Sequence, residues 1–120
     1  MTSLMFVDDE EDLVDLFKRL LENKGYNVPF VANSGKEAIE IYDKADIKPD
    51  IIIIDNYLGD ILGIDVIKYI LKENSDIKGL IASGDLSIGQ SSNFSPNIGF
   101  LTKPFSVKIL IKEIEKLLMQ

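Results

Sequence analysis

The chain has 120 residues, a formal net charge of −7, no histidine and no cysteine. This length suits one domain with one core, and the negative charge disfavours nucleic acid and anionic membranes as direct partners. Without cysteine or histidine, the composition excludes disulfides, thiol catalysis, His-dependent zinc sites and Ser-His-Asp catalysis.

The apolar segments are all short. The first, residues 4–7, is too short for the core of a signal peptide. No segment approaches the roughly 18 apolar residues that a membrane span needs. We therefore expect a cytoplasmic protein with no membrane partner.

The first half of the sequence predicts two strand–helix pairs. An apolar strand, residues 4–7, precedes an acidic segment and a helix that ends before Gly25. The second strand contains Pro29, which lacks a backbone N–H and therefore indicates the edge of a sheet. Ser34 and Glu37 have the spacing of a capping box and predict the start of the second helix. The apolar face of the first helix is predicted to be formed by Leu13, Leu16, Phe17, Leu20 and Leu21.

The second half predicts three further strands and at least two helices. Residues 51–54 are four consecutive isoleucines, which is typical of a central parallel strand covered on both faces. Apolar residues at helical spacing follow at 66–71 and 110–118, and further strands are predicted at 80–83 and 100–102. Residues 85–98 show no apolar stripe, so the helix that belongs there by count is predicted to be short or disordered.

The alternation of strands and helices defines the predicted fold. Short connections between alternating elements indicate right-handed βαβ units and an open parallel sheet with helices on both faces. The expected fold is therefore α/β, a doubly wound five-stranded parallel sheet. Pro29 sends strand two to the rim, which supports the strand order 2-1-3-4-5.

Polar residues follow four of the predicted strands. Ligands of open α/β sheets bind beyond the carboxyl ends of the strands, near the point where the strand order reverses. In the order 2-1-3-4-5, strands one and three are neighbours, so the aspartates at their ends face one crevice. The polar residues at the strand ends are Asp8, Asp9, Asp55, Ser83 and Lys103.

This set of side chains suits a magnesium-dependent phosphoryl transfer. Three ionised carboxylates in one crevice repel one another, and Mg²⁺ is a hard cation that removes this cost by binding carboxylates together with a phosphate. Asp55 can then attack a phosphoryl group and form an acyl phosphate. Lys103 supplies positive charge, and the Ser83 hydroxyl a hydrogen bond, to the oxygens that carry charge during transfer. Three other acidic residues are expected only to favour the dipole of the first helix: Glu10, Glu11 and Asp12.

These motifs resemble the receiver domain of two-component response regulators over essentially the whole chain. The resemblance rests on Asp8-Asp9, Asp55, Ser83-Gly84 and the segment FLTKPF, which occur in this order. It implies a flavodoxin-like fold and a single receiver domain over residues 1–120, with no effector domain. It also implies that Asp55 accepts phosphate from a sensor histidine kinase or a phosphotransfer protein.

The resemblance assigns the metal ligands residue by residue. Asp9, Asp55 and the backbone carbonyl of Tyr57 would hold Mg²⁺ directly, while Asp8 would act mainly through bound water. Tyr57 and Asp85 occupy the two positions where receivers tune the access of water to the phosphorylated aspartate.

Further positions match the switch machinery of the family. The resemblance implies a cis peptide bond from Lys103 to Pro104, and X-Pro bonds are the ones that tolerate cis. Phe100 matches the aromatic position that turns inward as Ser83 moves toward the phosphate. An ordinary, half-buried strand residue is the alternative interpretation of Phe100.

The chain also departs from the family pattern. The usual D-x-x-M-P segment after the phosphoacceptor here reads Asp55 to Gly59, without the proline, and Gly63 occupies the later glycine position. Lys103 follows Ser83 by 20 positions, slightly fewer than the family pattern has. The missing residues fall within 85–98, which in receivers contributes to the output face.

The leading hypothesis is a stand-alone receiver that switches contacts with an unknown downstream protein, and in which a homodimer could form through helix surfaces. The alternative is a degenerate receiver that acts as a constitutive docking module. A phosphohydrolase of the haloacid dehalogenase type needs a second aspartate where this chain has Tyr57. A flavin carrier needs a phosphate-binding loop after strand one, where this chain carries the acidic run, so both enzyme and carrier classes are disfavoured.

Overall fold

Strands and helices alternate in the computed structural model, which describes residues 1–84 and 95–119. The strands are β1 (Ser3–Val7), β2 (Asn27–Ala32), β3 (Ile51–Asp55), β4 (Lys78–Ser83) and β5 (Ile98–Thr102). The helices are α1 (Glu11–Asn23), α2 (Gly35–Lys44), α3 (Gly63–Glu73) and α4 (Val107–Leu118). The prediction of a short or disordered helix between β4 and β5 falls mainly on residues 85–94, which lie outside the described residues, as does Asp85.

The sheet has five parallel strands in the order β2-β1-β3-β4-β5, which confirms the predicted fold. Pro29 lies on the edge strand β2. The pairing of β1 with β2 shifts register beside this residue, because Ser3 pairs with Asn27 whereas Met5 pairs with Phe30. The missing N–H of Pro29 therefore lies where the ladder is already interrupted.

The four isoleucines of β3 pack into two apolar clusters, one on each face of the sheet. Ile51 and Ile53 face the apolar cluster that includes α1 and α4. Ile52 and Ile54 face the opposite cluster, which includes α2 and α3. All four side chains are at most 1% exposed, and full burial of such a side chain contributes about 1.5–3 kcal/mol. The run of isoleucines thus holds Asp55 at the end of a rigid central strand.

The buried face of α1 differs from the predicted one. Val14, Phe17 and Leu21 are buried, whereas Leu16 is 46% exposed. Leu13 and Leu20 are only partly buried. The apolar stripe of this helix is broader than the face that packs on the core, and Leu16 lies at the edge of the stripe farthest from Val14, so it is exposed. The helix ends as predicted, with Gly25 in the left-handed region at a φ of 96°.

The start of α2 shows the predicted capping box in a shifted form. The Ser34 hydroxyl oxygen accepts a hydrogen bond from the Glu37 N–H at 3.1 Å. The Glu37 carboxylate accepts from the N–H of Asn33, one residue before the cap, at 2.7 Å.

Within residues 1–84 and 95–119, no helix is long and apolar enough to cross a membrane.

Candidate functional site

Three aspartates converge at the carboxyl edge of the sheet. Asp8 and Asp9 follow β1, and Asp55 is the last residue of β3. Each offers a carboxylate oxygen, and these oxygens lie within 4.8 Å of one another. Asp8 and Asp55 are buried, at 2% and 7% exposure, whereas Asp9 is exposed to solvent. The structure therefore brings together the three carboxylates that the strand order placed at one crevice.

Lys103 bridges the two buried carboxylates. Its ammonium nitrogen lies 3.0 Å from Asp8 Oδ2 and 3.3 Å from Asp55 Oδ2. The backbone N–H of Lys103 donates to the carbonyl oxygen of Ser83 at 2.9 Å, which fixes the end of β5 against the end of β4. The peptide bond from Lys103 to Pro104 is cis.

The electrostatics of the site favour an added cation. Burial raises the pKa of Asp55 above its ordinary value, and the charge of Asp8 adds to this, although Lys103 opposes the shift. Burial alone would lower the pKa of Lys103. The hydrogen bond and charge of Asp8, together with the charge of Asp55, outweigh burial and raise that pKa. Lys103 is therefore protonated at neutral pH, yet it does not fully offset the cost of ionising Asp55.

Asp8 is held on two sides by backbone and side-chain hydrogen bonds. Its Oδ1 accepts from the N–H of Glu10 at 3.0 Å. The side-chain amide of Asn33 donates to the carbonyl oxygen of Asp8 at 3.1 Å. The orientation of Asp8 is therefore set by the start of α1 and by the connection between β2 and α2.

The loop after Asp55 is anchored by a buried asparagine that the sequence analysis did not single out. The Asn56 N–H donates to the carbonyl of Ala82 at 2.8 Å, and its Oδ1 accepts from the N–H of Ile64 at 3.0 Å. Asn56 is 2% exposed. The one available signal was its place directly after a fully buried strand, where a polar residue needs a local partner. Tyr57, the next residue, has a 53% exposed side chain beside the site.

The two predicted switch residues lie on neighbouring strands, β4 and β5. Ser83 is 2% exposed at the end of β4 and pairs with Thr102. Phe100 is partly buried on β5, pairs with Ile81 and contacts the apolar cluster of α2 and α3. The tuning position Asp85 lies in the part of the chain that the structure does not describe.

The donor set fits magnesium. Three carboxylates supply oxygen ligands, and Mg²⁺ prefers oxygen ligands in a compact arrangement that keeps some of its water. The net negative charge of the cluster exceeds what Lys103 can offset. The exposed Asp9 leaves an open side through which a phosphate could approach.

Comparison with protein-family models identifies this arrangement. Residues 4–115 match the response regulator receiver domain. The chain belongs to this family, which takes part in two-component signalling. Receiver domains act as phosphoacceptor switches, bind Mg²⁺ at an acidic pocket, and interact with histidine kinases or phosphotransfer proteins.

Curated relatives and solved structures agree with this assignment. The response regulator SaeR of Staphylococcus aureus strain USA300 is 32% identical over 121 residues, covering 98% of this chain and 51% of its own. The chain thus spans about half the length of the curated relatives it matches.

Among solved structures, the response regulator TrrA of Thermotoga maritima, in complex with Mg²⁺–BeF, is 26% identical with a TM-score of 0.83. The two chains overlap over 98% of this one and 99% of TrrA. The receiver domain of the hybrid histidine kinase CckA is 28% identical with a TM-score of 0.77, covering 97% and 98%. A receiver domain from Clostridium thermocellum, 24% identical with a TM-score of 0.86 over 98% and 94%, supports the fold.

Proposed function

We propose that Asp55 accepts a phosphoryl group in a magnesium-dependent reaction and thereby switches a protein-binding surface. The observation that carries this proposal is the convergence of three carboxylates within 4.8 Å, with Lys103 bridging two of them. The donor is a sensor histidine kinase or a phosphotransfer protein, and the downstream target is another protein.

The proposed metal site uses side chains and one carbonyl. Asp9, Asp55 and the backbone carbonyl of Tyr57 would hold Mg²⁺ directly, and Asp8 would act through bound water. When bound, Mg²⁺ neutralises the carboxylates and stabilises charge on the phosphoryl oxygens. Asp8 also keeps its contact with Lys103, so the cation and the lysine share the charge of the crevice.

The chemistry at Asp55 is a direct phosphoryl transfer. A carboxylate oxygen of Asp55 attacks phosphorus, the bond from phosphorus to the imidazole nitrogen of the donor breaks, and an acyl phosphate forms. The imidazole leaves with the electron pair of the broken bond. Lys103 and Ser83 then contact the phosphoryl oxygens, with the ammonium group moving from Asp55 to the new charge.

The switch is a shift between two populations of the domain. Lys103 and Ser83 contact phosphate more strongly in the active arrangement, and this difference biases the equilibrium. Phe100, partly buried beside Ile81, would turn inward as Ser83 moves. Tyr57 and Asp85 would tune the lifetime of the acyl phosphate. Pairing with a second copy of the chain stays a prediction.

Intact mass measurement tests the phosphorylation. The protein is incubated with Mg²⁺ and a small-molecule phosphodonor, and we expect the mass to increase by one phosphate. The increase should disappear in Asp55→Asn and when a chelator removes Mg²⁺. An unchanged mass, or an equal increase in Asp55→Asn, would contradict the proposal. A constitutive docking module, the alternative, predicts the unchanged mass.

A further inference from the structure

Asn33, before α2, and the first two residues of α2 contact both loops that carry the candidate metal ligands. The side-chain amide of Asn33 donates to the carbonyl oxygen of Asp8 at 3.1 Å, at the end of β1. Gly35 and Lys36 donate their N–H groups to Asp60, at 3.0 Å to Oδ1 and 2.9 Å to Oδ2. Asp60 belongs to the loop that follows Asp55. Residues 33–36 therefore link the segment after β1 to the loop after β3.

Asp60 and Ser34 divide the first N–H groups of α2 between them. The first N–H groups of a helix have no partner within the helix. Asp60 accepts from the first two, those of Gly35 and Lys36, and the Ser34 hydroxyl accepts from the third, that of Glu37. Ser34 is local to α2. Asp60 instead comes from a different part of the chain, so its bonds join the helix to the loop after Asp55.

The Asp60 carboxylate is held in its charged form. The N–H of Lys36 is the main cause that lowers the pKa of Asp60, and the N–H of Gly35 adds to it. Hydrogen bonds to an ionised carboxylate are shorter and stronger than those between neutral groups. Both of these contacts are therefore charge-assisted at neutral pH.

Gly35 lets the helix and the loop come into direct contact. A Cβ at Gly35 would lie 3.0 Å from the Cβ of Ile61 and 3.2 Å from Cγ2 of Val66. A side chain at residue 35 would force these neighbours to move by a few tenths of an ångström. The loop therefore rests on the backbone of α2 as well as bonding to it.

We propose that Asn33 and Asp60 are positioning residues of the phosphoacceptor site. Together they clamp the end of β1 and the loop after Asp55 onto the start of α2. The clamp sets the spacing between the carboxylates that follow β1 and the carbonyl of Tyr57. This inference rests on the proposed function, because that spacing matters only if these groups bind one cation.

The effect of the clamp should appear in metal affinity. Mg²⁺ demands near-ideal octahedral geometry, so a looser pair of loops binds it less tightly. Loss of a residue that orients metal ligands typically costs 10–100-fold in affinity. Asn56 still anchors the same loop, so we expect a loss below that range, about threefold to tenfold, for Asp60→Ala.

Magnesium titration of the whole chain tests the clamp. MgCl₂ is added to ¹⁵N-labelled protein, and the amide signals of Asp8, Asp9 and Tyr57 report the dissociation constant. Asp60→Asn keeps one acceptor oxygen and should fall between the wild type and Asp60→Ala. Ser34→Ala is the matched control, since it removes a cap from the same helix and leaves both Asp60 contacts in place. Ser34→Ala should lower the midpoint of thermal unfolding. Its magnesium affinity should stay within about twofold of the wild-type value, a smaller change than the one expected for Asp60→Ala.

A second variant separates a clamp from two independent contacts. Asn33→Ala should also weaken magnesium binding, and the double variant Asn33→Ala with Asp60→Ala should bind no more weakly than the worse single variant. If the loss of magnesium affinity in the double variant equals the product of the two single losses, the clamp is overturned. Equal losses for Asp60→Ala and Ser34→Ala would also overturn it, while leaving the proposed function intact. If the amide signals of the wild type do not change when Mg²⁺ is added, both the clamp and the proposed function are overturned.

Discussion

Gly63 lies directly against the backbone of Asp55. A Cβ at Gly63 would come within 2.3 Å of the Asp55 carbonyl oxygen and 3.0 Å of the Asn56 Cα. The N–H of Gly63 also donates to the carbonyl of Asn56 at 2.8 Å. The start of α3 is thus in contact with the strand end that carries the phosphoacceptor, and only glycine fits there.

Replacement of Gly63 by alanine should therefore destabilise the domain. The added methyl group meets backbone atoms, which cannot move as a flexible side chain would, so we expect a loss of about 1–3 kcal/mol in the free energy of unfolding. Urea denaturation measures this loss. Gly84→Ala is the control, because no atom of the described residues lies within 4 Å of a Cβ there, and its effect should stay within about 0.5 kcal/mol. Equal effects at the two glycines would contradict the packing argument.

Asp55→Asn should stabilise the domain in the absence of Mg²⁺. Burial raises the pKa of Asp55, so the folded state binds its proton more tightly than the unfolded state does. The free energy of unfolding then falls as pH rises from the unfolded pKa through the folded one. Asp55→Asn has no carboxylate to ionise, so at neutral pH it should have a higher free energy of unfolding than the wild type. At acid pH, where Asp55 is protonated, the two free energies of unfolding should be equal.

Thermal unfolding between neutral and acid pH measures that difference. Asp46→Asn, which removes an exposed carboxylate elsewhere on the domain, is the control for the loss of one negative charge. Mg²⁺ should raise the unfolding midpoint of the wild type more than that of Asp55→Asn, because ligand binding to the folded state stabilises it. A destabilised Asp55→Asn protein at neutral pH without Mg²⁺ would contradict this account of the site.

Lys103→Met should leave two buried carboxylates without their shared cation. Lys103 lowers the pKa of Asp55, so we expect that pKa to rise further and the free energy of unfolding to fall by about 1–3 kcal/mol. Mg²⁺ should restore part of this loss and should therefore stabilise the variant more than the wild type. Urea denaturation with and without Mg²⁺ measures both effects. Lys112→Met, on an exposed position of α4, is the control and should change neither.

The buried face of α1 can be tested by two leucine truncations. Leu21→Ala removes a side chain with no exposed area and should cost about 2–5 kcal/mol. Leu16→Ala removes one that is 46% exposed and should cost much less. Urea denaturation of both variants gives the two losses in the free energy of unfolding, and each variant replaces a leucine of α1 by alanine. A larger cost for Leu16→Ala would show that α1 packs as its leucine pattern suggested.

The fold was predictable because two strands carried strong local signals, and the central site followed from the strand order. Four consecutive isoleucines need two apolar environments, and Pro29 needs a strand edge, which together fix where β3 and β2 lie. Parallel strands end at the same edge of a sheet, so Asp8, Asp55 and Lys103 had to meet once the strand order was known.

Other features depended on contacts that the sequence does not encode locally. The apolar stripe of α1 is broader than the face that packs on the core, so its rotation was undetermined and the burial of Leu16 was predicted wrongly. The bonds from Gly35 and Lys36 to Asp60 join residues of different loops, and no spacing rule links them. Asn56 is a single polar residue whose partner, Ile64, lies across a turn.

Beryllofluoride binding measures the central claim most directly. Amide spectra of the ¹⁵N-labelled protein are recorded with Mg²⁺ alone, with beryllofluoride alone and with both. We expect signals of Asp55, Ser83, Phe100 and Lys103 to shift with both additions together, and Asp55→Asn to show no such shift. Spectra that are identical with and without beryllofluoride, or a shift that persists in Asp55→Asn, would contradict a phosphate-responsive site at Asp55.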